Sequence, residues 1–192
     1  MLTTVIYQTL ENRGNEEEVV NHGPYFCSEF NPDNTLKKGV KEPWLGEGYY
    51  FWDSRIEDAE WWGETVYKGA GYYICRTTYD QHSHLLFDLV GITLHFDEFV
   101  KCAELIKEKR RLRTIKFPVV LSYLKKLKSF TYKAIRVMPY PKFNRDSDIV
   151  FPKETIGLGR LEKIQVCFFD KELLSAPYEL VAKSPSVNDQ TI

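Results

Sequence analysis

Residues 45–63, Leu-Gly-Glu-Gly-Tyr-Tyr-Phe-Trp-Asp-Ser-Arg-Ile-Glu-Asp-Ala-Glu-Trp-Trp-Gly, constrain the fold more tightly than any other stretch of the chain. Gly46 and Gly48 permit a tight backbone turn or a close approach to a ligand, and the consecutive aromatics Tyr49, Tyr50, Phe51 and Trp52 suit a pleated, half-buried surface. Asp53 or Ser54 can then cap a helix whose Ile56, Ala59, Trp62 and Val66 recur at near-helical spacing. The segment predicts a strand running into a helix, with an aromatic wall at the corner. A third glycine at dinucleotide-fold spacing is missing, as is Gly-Lys-Ser/Thr, so these glycines do not make a conventional nucleotide cradle.

The flanking sequence sets the fold class. Residues 3–9 are β-branched and aromatic, a first strand; Asn15 can cap a helix opening with Glu16, Glu17 and Glu18 and closed by Gly23 and Pro24. A long polar connection follows over residues 28–44, and connections of that length are often functional. Strands are predicted at 71–79 and 85–90. Phe99, Cys102, Ala103, Ile106 and Leu112 mark a helix over 97–113, and Pro118 starts a second over 119–130, together a helical insertion at about 96–130. Strands at 132–138, 148–151 and 163–169 close the chain, separated by Pro139-Tyr-Pro141 and by a loop around Gly157 and Gly159. Strands first, helices in the middle and strands last predict an α+β domain with a mostly antiparallel sheet over residues 1–182, and a flexible tail over 183–192. A length of 192 residues with 43% hydrophobic content suffices for one core.

Net charge is −1, so no whole-molecule field draws the protein to nucleic acid or anionic lipid. The charge is unevenly spread: between Lys101 and Lys128 basic residues face only Glu104 and Glu108. Cys27, Cys75, Cys102 and Cys167 lie far apart, without metal-ligand spacing, and read as reduced thiols. His82 and His84 share one face of a possible strand, but one pair makes no metal site, and His22 and His95 read as surface or loop residues. The N-terminus lacks a signal-like segment and no apolar run reaches membrane length, which predicts a cytoplasmic location.

The segment Gly46, Gly48, Tyr50, Phe51, Asp53, Ala59 and Trp62 resembles the ADP-ribosyltransferase superfamily, the fold of poly-ADP-ribose polymerases and diphtheria toxin, and the chain looks like a divergent bacterial-type member. The late elements Ser147-Asp-Ile-Val-Phe151 and Lys163-Ile-Gln-Val-Cys-Phe-Phe169 are similar to the family's Glu-x-Ile-Val-Tyr strand and its final strand. The resemblance implies an NAD-consuming glycosyltransferase that moves ADP-ribose to a macromolecule, as a toxin or defence effector. It implies that Gln8, Gly48, Tyr49 and Tyr50 bind NAD, with Tyr50 as the nicotinamide platform. It places the charge-stabilising carboxylate at Asp148, with Glu154 and Gln165 as the other alignments. The family has Arg or His where Gln8 stands and Glu where Asp148 stands.

A carboxylate at such a site has a physical reason of its own, because breaking the nicotinamide glycosidic bond develops positive charge on the ribose. On their own, Asp148 and Glu154 read as solvated surface carboxylates and Gln8 as an ordinary strand residue. Lys109, Arg110, Arg111 and Arg113 are the expected contacts to a protein or nucleic-acid target. Two alternatives stay open: a catalytically degenerate binding module of the same fold, and an α+β nucleic-acid-binding protein using the basic helices at 101–128.

Overall fold

The computed structural model describes residues 3–40, 42–139, 149–150, 157–158 and 163–185. Its elements are β1 (Thr3–Glu11), α1 (Glu16–His22), β2 (Tyr49–Asp53), α2 (Ile56–Val66), β3 (Tyr72–Asp80), β4 (Leu86–Asp88), α3 (Thr93–Arg110), α4 (Phe117–Leu124), β5 (Ala134–Val137), β6 (Ile149–Val150), β7 (Gly157–Leu158), β8 (Gln165–Phe168) and β9 (Leu174–Ser184). Seven strands form one sheet in the order β4-β5-β8-β2-β1-β3-β9, and β6 pairs with β7 apart from it. Among the described residues only the β4–β5 pairing is parallel, so the fold is α+β and mostly antiparallel, as the order of sequence patterns predicts.

Strand alternation divides the side chains between two faces. The inner face carries Ile6, Phe51, Tyr79, Ala134, Val166 and Phe168, and its apolar cluster also takes in Leu86 of the edge strand β4 and Leu174 of the opposite edge strand β9. One cluster reaches both edges because the sheet curls around it. The outer face is covered by helices. Trp52 and Ile74 pack against Ala59, Ile56 and Trp62 of α2, while Phe87, Ile135, Val137 and Cys167 pack against Val120, Leu121 and Leu124 of α4 and Phe99 of α3. A helix of 8 residues such as α4 is too short to persist alone; burying its three aliphatic side chains, at about 1.5–3 kcal/mol each, holds it in place. The predicted insertion is therefore part of the core, closing over β4, β5 and β8.

Several local expectations are revised. Asn15 occupies the N-cap position of α1, but its Nδ2 donates to Glu18 at 2.9 Å and it caps no amide. Arg55, not Asp53 or Ser54, sits at the N-cap of α2, because Asp53 is engaged by Arg136 and Ser54 takes φ +64° and donates to Asp53. Helix α3 begins at Thr93, four residues before the predicted start at 97, and α4 ends at Leu124. Strand β9 is an addition to the predicted strands. Pro177 lies where the β3–β9 register shifts, between the pairs Arg76↔Glu179 and Thr78↔Ser175, a place an edge strand tolerates. Lys183 and Ser184 belong to this strand, not to a flexible tail. The predicted strand at 148–151 is described only as Ile149–Val150, and the turn at Tyr140 and Pro141 lies outside the described residues.

Candidate functional site

The two glycines of the corner shape the backbone. Gly46 has φ +77°, a conformation in which L side chains are strained, and a Cβ on Gly48 would stand 2.5 Å from Cys167 Sγ and 2.6 Å from the Phe168 carbonyl oxygen. Gly48 therefore lets β2 lie close against β8. Its N–H donates to the Cys27 carbonyl and its own carbonyl accepts from the Cys27 N–H, which ties the long connection to the start of β2.

Tyr49 and Tyr50 are neighbours in a strand and so face opposite ways. Tyr49 joins the inner cluster, edge-on to Phe26 at 5.0 Å. Tyr50 packs into the outer cluster; its hydroxyl donates to the Gly46 carbonyl at 2.7 Å and accepts from the Leu45 N–H at 2.9 Å. Burial, with the Cys167 thiol beside it, pushes that hydroxyl well above its ordinary range.

Gln8 lies on the inner face and is 5% exposed. Its Nε2 donates to the carbonyls of Tyr25 (2.9 Å) and Tyr50 (3.3 Å), and its Oε1 accepts from the Tyr25 N–H (2.9 Å) and the Tyr178 hydroxyl (2.8 Å). Four bonds exhaust what a carboxamide can make. A charged Arg or His could not both donate to and accept from the Tyr25 peptide in this way, so the glutamine is matched to fastening the segment after α1 onto β1. The single cleft expected from Gln8, Tyr49 and Tyr50 is thus divided: strands β1 and β2 are adjacent, but Gln8 and Tyr49 project inward and Tyr50 outward. Asp148 and Glu154 lie outside the described residues.

A different group of residues converges on the outer face. Gln165, the first residue of β8, lies opposite Trp52 on one side and Val137 on the other. Its Oε1 accepts from Trp44 Nε1 at 2.6 Å, and since an indole can only donate, this fixes the amide orientation and turns Nε2 away. Nε2 makes no hydrogen bond among the described residues. Trp52 is 6.1 Å from Trp61 and 5.7 Å from Trp62, ring centre to ring centre; Trp61 is 42% exposed, and Lys163 Nζ stands 4.3 Å from its ring. Trp44 in turn rests on Phe117 at the start of α4. The outer face between α2 and α4 thus carries the part-exposed indole of Trp61, with Lys163 Nζ over its ring, and the carboxamide of Gln165 held by Trp44; an indole and a carboxamide are side chains that can stack on a planar heterocycle and hydrogen-bond its polar edge. The sequence carried part of this signal in the spacing of Ala59 and Trp62 and in Gln165; Trp44, Trp61 and Lys163 carried none.

Across β8, on the inner face, Arg136 of β5 reaches Asp53 of β2 (Nε to Oδ2 2.6 Å) and Asp88 of β4 (3.2 Å). His95 lies beside this clamp, with Nδ1 accepting from the Asp88 N–H at 3.0 Å and Nε2 paired with the Tyr132 hydroxyl. Among the described residues no group of three or more His, Cys, Asp or Glu is placed to hold a metal ion, and no helix is long and apolar enough to cross a membrane. Comparison with family models, with curated proteins and with solved structures found no match.

Proposed function

We propose that the chain is an NAD-binding domain of ADP-ribosyltransferase type, with its nicotinamide subsite on the strip between α2 and α4. The observation that carries this reading is the adjacency of β8 and the aromatic strand β2, with Gln165 at the head of β8 opposite Trp52. The resemblance puts a glutamate at the head of a late strand beside an aromatic wall, and Gln165 was one of its alignments. In this reading Trp61, not Tyr50, is the stacking surface, because the Tyr50 ring is packed against Leu45 and Cys167 and its hydroxyl is already bonded. Cleavage would break the bond between nicotinamide and ribose C1′ and pass ADP-ribose to an acceptor, with Asp148 and Glu154 as the candidate carboxylates for the charge on the ribose. Lys109, Arg110, Arg111 and Arg113 remain the proposed contacts to the macromolecular target.

A second reading, an NAD-binding module without turnover, is favoured by one observation: the side chain oriented into the strip is a neutral carboxamide. Both readings require NAD binding, which a thermal shift tests. A ligand bound only by the folded state at a hundred times its Kd adds about 2.7 kcal/mol, or about 5–10 °C for a domain of this size. Trp61→Ala, at an exposed ring, should keep the fold and abolish the shift. No shift in the wild type, or an equal shift in Trp61→Ala, would reject the site.

A further inference from the structure

Helix α3 carries a second stripe beside the one that packs on the core. Leu94, Glu98, Lys101, Leu105 and Lys109 recur at helical intervals on one face, and Leu94 and Leu105 are 78% and 56% exposed. Tyr123 and Leu127, at and just beyond the end of α4, are also exposed. Between the two helices runs a groove of about 530 Å³ whose floor includes Leu105, Ile106, Leu124 and Leu127. Its edge bears Lys101, Lys109 and Arg110 against the single acid Glu98. None of these three cations has a salt-bridge partner among the described residues, whereas Lys107, outside the groove, pairs with Glu104 at 3.1 Å.

Leu105 and Leu127 exposed along one groove cost solvation free energy, and cations along an apolar floor discriminate between partners. A nucleic-acid strand needs a cationic track for phosphates and ring faces for bases; this floor is aliphatic with one aromatic at its margin, Tyr123. An α-helix with leucines on one face and carboxylates on its flanks matches both the floor and the edge. We propose that the α3–α4 groove docks an acidic amphipathic helix of a protein partner. The inference rests on the reading of Lys109 and Arg110 as target contacts and names the kind of target, while the NAD site stands or falls separately.

The test is fluorescence anisotropy, without NAD, using three labelled probes. These are a stapled helical peptide with leucines on one face and glutamates flanking them, the same peptide with lysines for the glutamates, and a single-stranded oligonucleotide. The acidic peptide should bind saturably, and more weakly as salt is raised. Lys109→Glu combined with Arg110→Glu should weaken it about tenfold or more, as should Leu105→Ser combined with Leu127→Ser. Arg13→Glu, far from the groove, should not change it. Circular dichroism and melting of every variant, matching the wild type, separate loss of docking from loss of fold. Absence of saturable binding, equal binding of the lysine peptide, tighter binding of the oligonucleotide, or folded groove variants with unchanged affinity would each overturn the proposal.

Discussion

Replacing Arg136 with methionine tests how the head of β8 is held. The guanidinium spans β8 on the inner face, from β5 to Asp53 on β2, and also pairs with Asp88 on β4; all three side chains are buried. Methionine fills similar space but leaves two carboxylates buried without their cation, a change that costs about 3–5 kcal/mol. Part of that is offset, since Asp88 still accepts from the Val90 and Gly91 amides and Asp53 from the Ser54 hydroxyl. The expected loss is therefore near the lower limit, about 3 kcal/mol, or about 6–12 °C in melting temperature. Urea unfolding of wild type and Arg136→Met supplies the measurement. Asp53→Asn and Asp88→Asn added together should recover stability in the Arg136→Met background. A loss under about 1 kcal/mol, or no recovery on adding the two Asn substitutions, would refute the clamp.

Gly48→Ala should destabilise by about 1–3 kcal/mol, read from the urea midpoint, because its Cβ would meet backbone as well as Cys167; a neutral effect would show that β2 can retreat from β8. Gln8→Ala should cost about 2–4 kcal/mol by stranding the Tyr25 peptide and the Tyr178 hydroxyl, and a loss below about 0.5 kcal/mol would contradict its fastening role. Burial pushes the Cys75 thiol up to about 11 and the Cys167 thiol up to about 12. Both are neutral in the fold and more readily ionised when unfolded, so their contribution is complete below about pH 8.5 and is lost as pH rises toward 11–12. Melting temperatures that stay level between neutral and strongly alkaline pH would contradict this.

The fold class and the strand-to-helix corner were legible because aromatic and β-branched runs, glycine and helical spacing are local signals. Strand β9 was hidden by Pro177 and by its polar alternation, which suit an edge strand but resemble a tail. Asp53 reads as a helix cap only if its ion partner is unknown, and Arg136 stands 83 residues away. His95, read as a loop residue, gains its role from the β4 amide and Tyr132, neither of which its neighbours in sequence announce. The division of Tyr49 and Tyr50 between two faces was readable from strand alternation alone. The convergence of Trp44, Trp61 and Gln165 was not, since it depends on β8 crossing beside β2.

Release of nicotinamide from NAD, followed for the wild type, Asp148→Asn, Glu154→Gln and Gln165→Glu side by side, tests the NAD site most directly. A glutamate at 165 can accept from Trp44 Nε1 through one oxygen and present the other to the strip. The expected result is faster release by Gln165→Glu than by the wild type, on the order of 100-fold for an added charge at a preorganised site, with any wild-type turnover lost in Asp148→Asn or Glu154→Gln. No release by either the wild type or Gln165→Glu, at NAD concentrations that also leave the melting temperature unmoved, would contradict it.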